Sequence, residues 1–75
     1  MDRELAQRIS AGLDRFADEM NAFALIIEEI ADERERKSYR RSLAKLMTGD
    51  YADMCRAIGQ QFPDLDPLAR RLTSL

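Results

Sequence analysis

The side chains of this 75-residue chain that could do chemistry are few, and their spacing points away from catalysis. There is no histidine, so neither a Ser-His nor a Cys-His nucleophile pair is possible, and four Cys/His ligands for zinc cannot be assembled. Cys55 is the single cysteine, which rules out an intramolecular disulfide. It lies beside Met54 and a turn before Ile58, with Arg56 the one cation next to it. A small buried hydrophobe fits those neighbours better than a redox-active or metal-touching thiol. Glu28-Glu29 and Asp32-Glu33 offer oxygen ligands for a divalent cation. They lack the Glu-x-x-His pattern of helical metal sites and read as the solvated acidic end of a helix. Asp64-x-Asp66 is too short for a calcium loop, and no Gly-rich phosphate cradle is present. We expect no enzyme, no cofactor and no metal.

The remaining candidate is a run of cations. Residues 34–45 carry Arg34, Arg36, Lys37, Arg40, Arg41 and Lys45 against the lone acid Glu35, while residues 1–33 hold nine acids against three arginines. On a helix Arg34, Lys37, Arg41 and Lys45 project along one face, with Arg36 and Arg40 on an adjoining strip and Tyr39 in the same stretch. Such a stripe could follow a phosphate backbone, with the tyrosine as a stacking surface. The competing explanation is pairing within the protein: Asp32–Arg36 and Glu33–Lys37 have i,i+4 spacing, and Glu28 and Glu29 would lie across a helical turn from the cations. A net charge of −2 is unlike the broad positive field of nucleic-acid binders, so pairing is the preferred account.

These groups need elements to hold them, and the sequence describes helices. Ala6, Ile9, Leu13, Phe16, Met20, Phe23, Ile27 and Ile30 alternate gaps of three and four, the period of an apolar seam on one long helix. With Ala6, Leu13, Met20 and Ile27 at position a and Ile9, Phe16, Phe23 and Ile30 at d, the e positions are Ser10, Ala17, Ala24 and Ala31. All are small and would let a neighbouring helix approach closely; Gly12 suggests a second close approach. Leu25 and Ile26 widen the apolar arc near the C-terminal end. Continuing the heptad would bury Arg34, Lys37 and Arg41, so the seam ends at Ile30.

The chain therefore reads as one all-α domain over residues 1–75: helix 2–31 capped by Asp2, then helix 33–61 capped by Asp32 with Glu35 as its capping-box partner. A turn at 62–66 and a short helix 67–74, with Asp66 as cap and Pro67 at its first position, complete it. Thr48-Gly49-Asp50 could break the second helix, but matched arm lengths of roughly 44 Å favour a continuous or kinked one. Its apolar side holds Tyr39, Leu43, Leu46, Met47, Tyr51, Met54, Cys55, Ile58 and Phe62, with the methionines as core filler.

A long antiparallel hairpin whose arms carry more apolar surface than they cover should dimerise into a four-helix bundle. The hairpin or dimer seam would be Ile9, Leu13, Phe16, Met20, Phe23, Ile27 and Ile30. The expected partners are a second copy and a further protein, with nucleic acid as the alternative through residues 34–45. The longest apolar run, 22–27, falls far short of the roughly 20 residues that span a bilayer, and the basic stretch lacks a strong apolar backing for a membrane surface. With no export signal and one unpaired cysteine, we expect a cytoplasmic interaction module, a regulator or adaptor.

Overall fold

The structure, a computed structural model, describes residues 1–73. Four α-helices and one 3-10 turn follow one another: α1 (Arg3–Ile27), α2 (Glu33–Thr48), α3 (Asp50–Gln61), the turn Pro63–Leu65 and α4 (Pro67–Thr73). No strand occurs among the described residues. Short acidic side chains start three of the helices by accepting from orphan backbone N–H groups. Asp2 accepts from Leu5 N–H at 2.8 Å and Asp32 from Glu35 N–H at 3.0 Å. Asp66 accepts from Leu68 and Ala69 N–H at 3.0 and 3.2 Å. Residue 74, the expected end of the last helix, lies outside the described residues.

The first helix stops at Ile27 rather than at the expected residue 31. Glu28 and Glu29 follow it, and no basic residue occupies its last turn, so continuing would stack negative charge at the negative end of the helix dipole. The chain instead tightens, with Glu29 N–H donating to Ile26 C=O at 3.0 Å and Ile30 N–H to Ile27 C=O at 3.1 Å. Ile30 thus leaves the helical seam and turns back onto the core. The Arg36 guanidinium holds its carbonyl at 2.9 Å.

The second arm is two helices, not the continuous or kinked one expected over 33–61. Gly49 sits at φ −96°, ψ −112° between them. Its N–H still reaches Lys45 C=O at 2.9 Å, but a Cβ on it would lie 2.7 Å from that same oxygen. Only glycine fits so tight a junction, and the break resets the apolar face that drifts around α2. Arm lengths mislead because α1 is matched by two helices in succession. Arg40 pairs with Glu28 near the turn, and the Tyr51 hydroxyl lies 3.3 Å from Leu13 C=O midway along α1. α2 and α3 therefore return along α1.

The core holds Leu13, Ala17, Met20, Ile27, Leu43, Tyr51 and Cys55, with Ala24, Ile30, Met47 and Leu68 packed against it. Each large apolar side chain buried there stabilises the fold by about 2 kcal/mol. Polar links close the far end. Ser10, buried at an e position, donates to Leu65 C=O at 2.6 Å. Arg70 reaches Asp14 at 2.6 Å, and Arg71 reaches Asp18 at 3.0 Å. The close approach in this region is at Gly59, where a Cβ would lie 2.9 Å from Asp66 Cβ. Gly12, the expected close-approach site, has open space beside it apart from the tip of Arg15 at 3.8 Å.

Candidate interaction surface

The eight-residue apolar stripe divides between two sides of α1. Its a positions face the core: Leu13 is 7 % and Met20 4 % exposed, with Ala6 and Ile27 also buried. Two of its small e positions, Ser10 and Ala17, are buried with them, and Ala24 is partly so. The helical d positions stay outside, with Phe16 at 47 %, Phe23 at 45 % and Ile9 also exposed. On a helix, e lies about 40° from a, while d lies about 100° from e on the other side. A face centred on the small residues therefore cannot also cover d. Of the expected seam, Leu13, Met20 and Ile27 meet in the core, Ile30 joins them from the turn, and Ile9, Phe16 and Phe23 do not.

The uncovered residues belong to a second row that sequence reading missed: Leu5, Ile9, Gly12, Phe16, Glu19, Phe23 and Ile26. Their gaps alternate four and three, and the five large apolar members are all exposed. The available signal was Leu5 and Ile26, which extend the spacing of Ile9, Phe16 and Phe23 in both directions. Beside the C-terminal half of this row runs a groove of about 620 Å³ between α1 and α2. Phe16, Phe23 and Ile26 form one wall, Tyr39 and Leu46 the other, and Met20 and Leu43 also line it. Glu19 is the one charged residue among its lining. Leu25 lies on the opposite side of the hairpin, beside a smaller hollow with Arg40, Ala44 and Met47.

The basic segment is partly neutralised. Arg40 makes a two-point pair with Glu28, and Lys37 lies 3.2 Å from Glu33. Arg40 holds the Glu28 carboxyl below its ordinary pKa, chiefly by hydrogen bonding, and is itself held more firmly protonated. Arg36 goes to the Ile30 carbonyl in place of the expected Asp32. Arg34 and Arg41 flank a small cleft with Lys37 and Ser38. Among the described residues, Arg34, Arg41 and Lys45 take part in no ion pair. Tyr39 is turned about 160° from Arg41 on α2 and lines the apolar groove. It is not interleaved with the cations.

The other candidates serve the fold. Cys55 is buried in the core. One turn earlier, Tyr51 has its phenol pushed up to about 12, first by burial and then by Cys55. It stays neutral and donates to Leu13 C=O while its ring stacks on Phe16 with centroids 6.2 Å apart. Met54, expected as core filler, is exposed. Among the described residues, no three His, Cys, Asp or Glu side chains gather in a way that could hold a metal. No helix among those residues is long and apolar enough to cross a membrane. The links from Arg70 and Arg71 to Asp14 and Asp18 join positions more than fifty residues apart, so no local spacing announces them. No family model, curated protein or solved structure matches the chain.

Proposed function

We propose that this chain is a small, non-catalytic protein–protein interaction module, a cytoplasmic regulator or adaptor that works as a helical homodimer. The observation that carries the reading is the contiguous apolar surface of α1 and α2, with Phe16, Phe23, Ile26, Tyr39 and Leu46 all open to solvent. Contiguous exposed apolar surface of this kind marks an interaction site on a soluble protein. Two hairpins placed face to face would bury these residues as the centre of a four-helix bundle. The absence of histidine and the burial of Cys55 favour a role in contact over one in chemistry. Sedimentation equilibrium at micromolar concentration tests this directly. The expected mass is twice the 8.6 kDa of one chain, and a strictly monomeric species would overturn the homodimer.

A second reading, nucleic-acid binding, draws on Arg34, Arg41 and Lys45, which share one side of α2 without ion-pair partners among the described residues. Titration with RNA and duplex DNA at low and moderate salt tests it. Phosphate contact predicts affinity that falls with salt and falls again in Arg34→Glu/Arg41→Glu. Salt-independent binding, or none, would remove it.

A further inference from the structure

We infer that the outer row of α1 pairs antiparallel with the same row of a second copy, with Phe16 on the two-fold axis. This rests on the homodimer reading and specifies which surfaces meet. The row Leu5, Ile9, Gly12, Phe16, Glu19, Phe23, Ile26 has seven members, and its five large apolar residues are placed nearly symmetrically about Phe16. Reversed against itself, it sets Leu5 beside Ile26, Ile9 beside Phe23, Gly12 beside Glu19 and Phe16 beside its own copy. Every large apolar residue then meets another, and the one charged member meets the one residue without a side chain. A two-fold dimer requires such self-complementarity, because each surface patch must serve as both donor and receiver. A parallel pairing would instead place the two Glu19 carboxylates together, which is repulsive.

The relief of the surface fits the same register. The groove lies beside the C-terminal half of the row, where Tyr39 and Leu46 of α2 form its second wall. The N-terminal half, with Leu5 and Ile9, has no second wall from α2 and lines an open hollow on α1 alone, flanked by Arg8 and Arg15. Antiparallel pairing sets the N-terminal half of each copy, which α2 leaves uncovered, against the groove of the other. Charge follows the same register: the groove's one charged residue is Glu19, and the N-terminal half brings Arg15 of the second copy within two residues of its level. Neither Arg15 nor Glu19 is in an ion pair within the chain among the described residues. Gly12 explains itself here as well. The open space beside it is where the Glu19 stem of the second copy crosses, so the close approach absent within the chain lies between chains.

Cysteine cross-linking tests the register, with wild type as the control because its own Cys55 is buried. Phe16→Cys should form a disulfide-linked dimer with itself. Ile9→Cys and Phe23→Cys should cross-link when mixed and far less when alone. Self-linking of Ile9→Cys and of Phe23→Cys would overturn the register while leaving a homodimer standing. No cross-link in any sample, together with a monomeric mass, would overturn the homodimer too. A charge exchange at the exposed pair needs no core change. Arg15→Glu and Glu19→Arg should each weaken dimerisation roughly five- to tenfold, and the combined variant should restore it. Additive weakening in the combined variant would count against the pairing, provided circular dichroism shows each variant still helical.

Discussion

The two long sides of α1 carry apolar residues at similar density and meet opposite fates. On the inner side, Ala6, Ser10 and Ala17 alternate with Leu13, Met20 and Ile27, and all are buried. On the outer side, Leu5, Ile9, Phe16, Phe23 and Ile26 are all exposed. Size separates the two. Small side chains let α3, α4 and the 3-10 turn come close enough to bury their larger neighbours, and Ser10 and Tyr51 make hydrogen bonds that secure the approach. The bulky outer residues stay exposed even where one meets its own chain, as Phe16 does in stacking on Tyr51, and they suit a partner that brings its own relief. Apolar periodicity alone says that a helix needs cover, while the size of the residues on each side says which cover comes from its own chain.

Adjacent residues at the end of α1 separate the two sides most strongly. Ile27 is fully buried and Ile26 is 59 % exposed. Ile27→Ala should destabilise the fold by about 2–5 kcal/mol, from lost burial plus a cavity. Ile26→Ala should change it by no more than about 0.5 kcal/mol. Urea titration at concentrations low enough to dissociate a dimer would read both, and equal losses would erase the distinction between the sides.

Next in size is Phe23→Glu, which sets a carboxylate in the proposed interface. Two such charges, one per copy, should raise the dimer dissociation constant about 100-fold or more while far-ultraviolet dichroism stays helical. Retained dimerisation would move the interface elsewhere. On the inner side, Ser10→Ala removes the donor to Leu65 C=O and should lower folding stability by about 1–2 kcal/mol, with little effect on dimerisation. Thermal unfolding followed with the dimer constant would separate those two readouts.

The smallest effect is electrostatic. Arg40 lowers the Glu28 pKa from its ordinary value of 4.5, and Arg3 lowers that of Asp64 from 3.8. A carboxylate with a lowered folded-state pKa contributes stability that is complete above its unfolded value and is lost as pH falls through the folded one. Stability should therefore decline modestly below about pH 4.5. Arg40→Gln should remove the Glu28 share of that decline, and added salt should shrink it. Melting curves from pH 6 to 3 would show a slope unchanged by Arg40→Gln if the pair is idle.

Much of the frame was legible without coordinates. Three aspartates in capping positions, Asp2, Asp32 and Asp66, mark helix starts because a short carboxylate is the natural acceptor for orphan N–H groups. The inner seam of Leu13, Met20 and Ile27 follows from period and small neighbours. The end of α1 was misplaced because heptad spacing carries Ile30 along, although Ile30 reaches the core from a turn. Thr48-Gly49-Asp50 marks a possible break in the sequence, but matched arm lengths outweigh it; the tight junction, where a Cβ on Gly49 would lie 2.7 Å from the Lys45 carbonyl oxygen, is visible only in the fold. The outer row was hidden because its d members fit one seam as well as two. The division becomes visible only once small side chains are treated as the marker of the packed side.

In the proposed dimer a second copy covers the outer row of α1. Isotope-filtered NMR on a sample mixed from labelled and unlabelled chains tests it most directly, because it reports only contacts between chains. The antiparallel pairing gives intermolecular contacts from the Phe23 ring to the Ile9 methyls and between the two Phe16 rings. Intermolecular contacts confined to the opposite side at Leu25, or none at millimolar concentration, would contradict it.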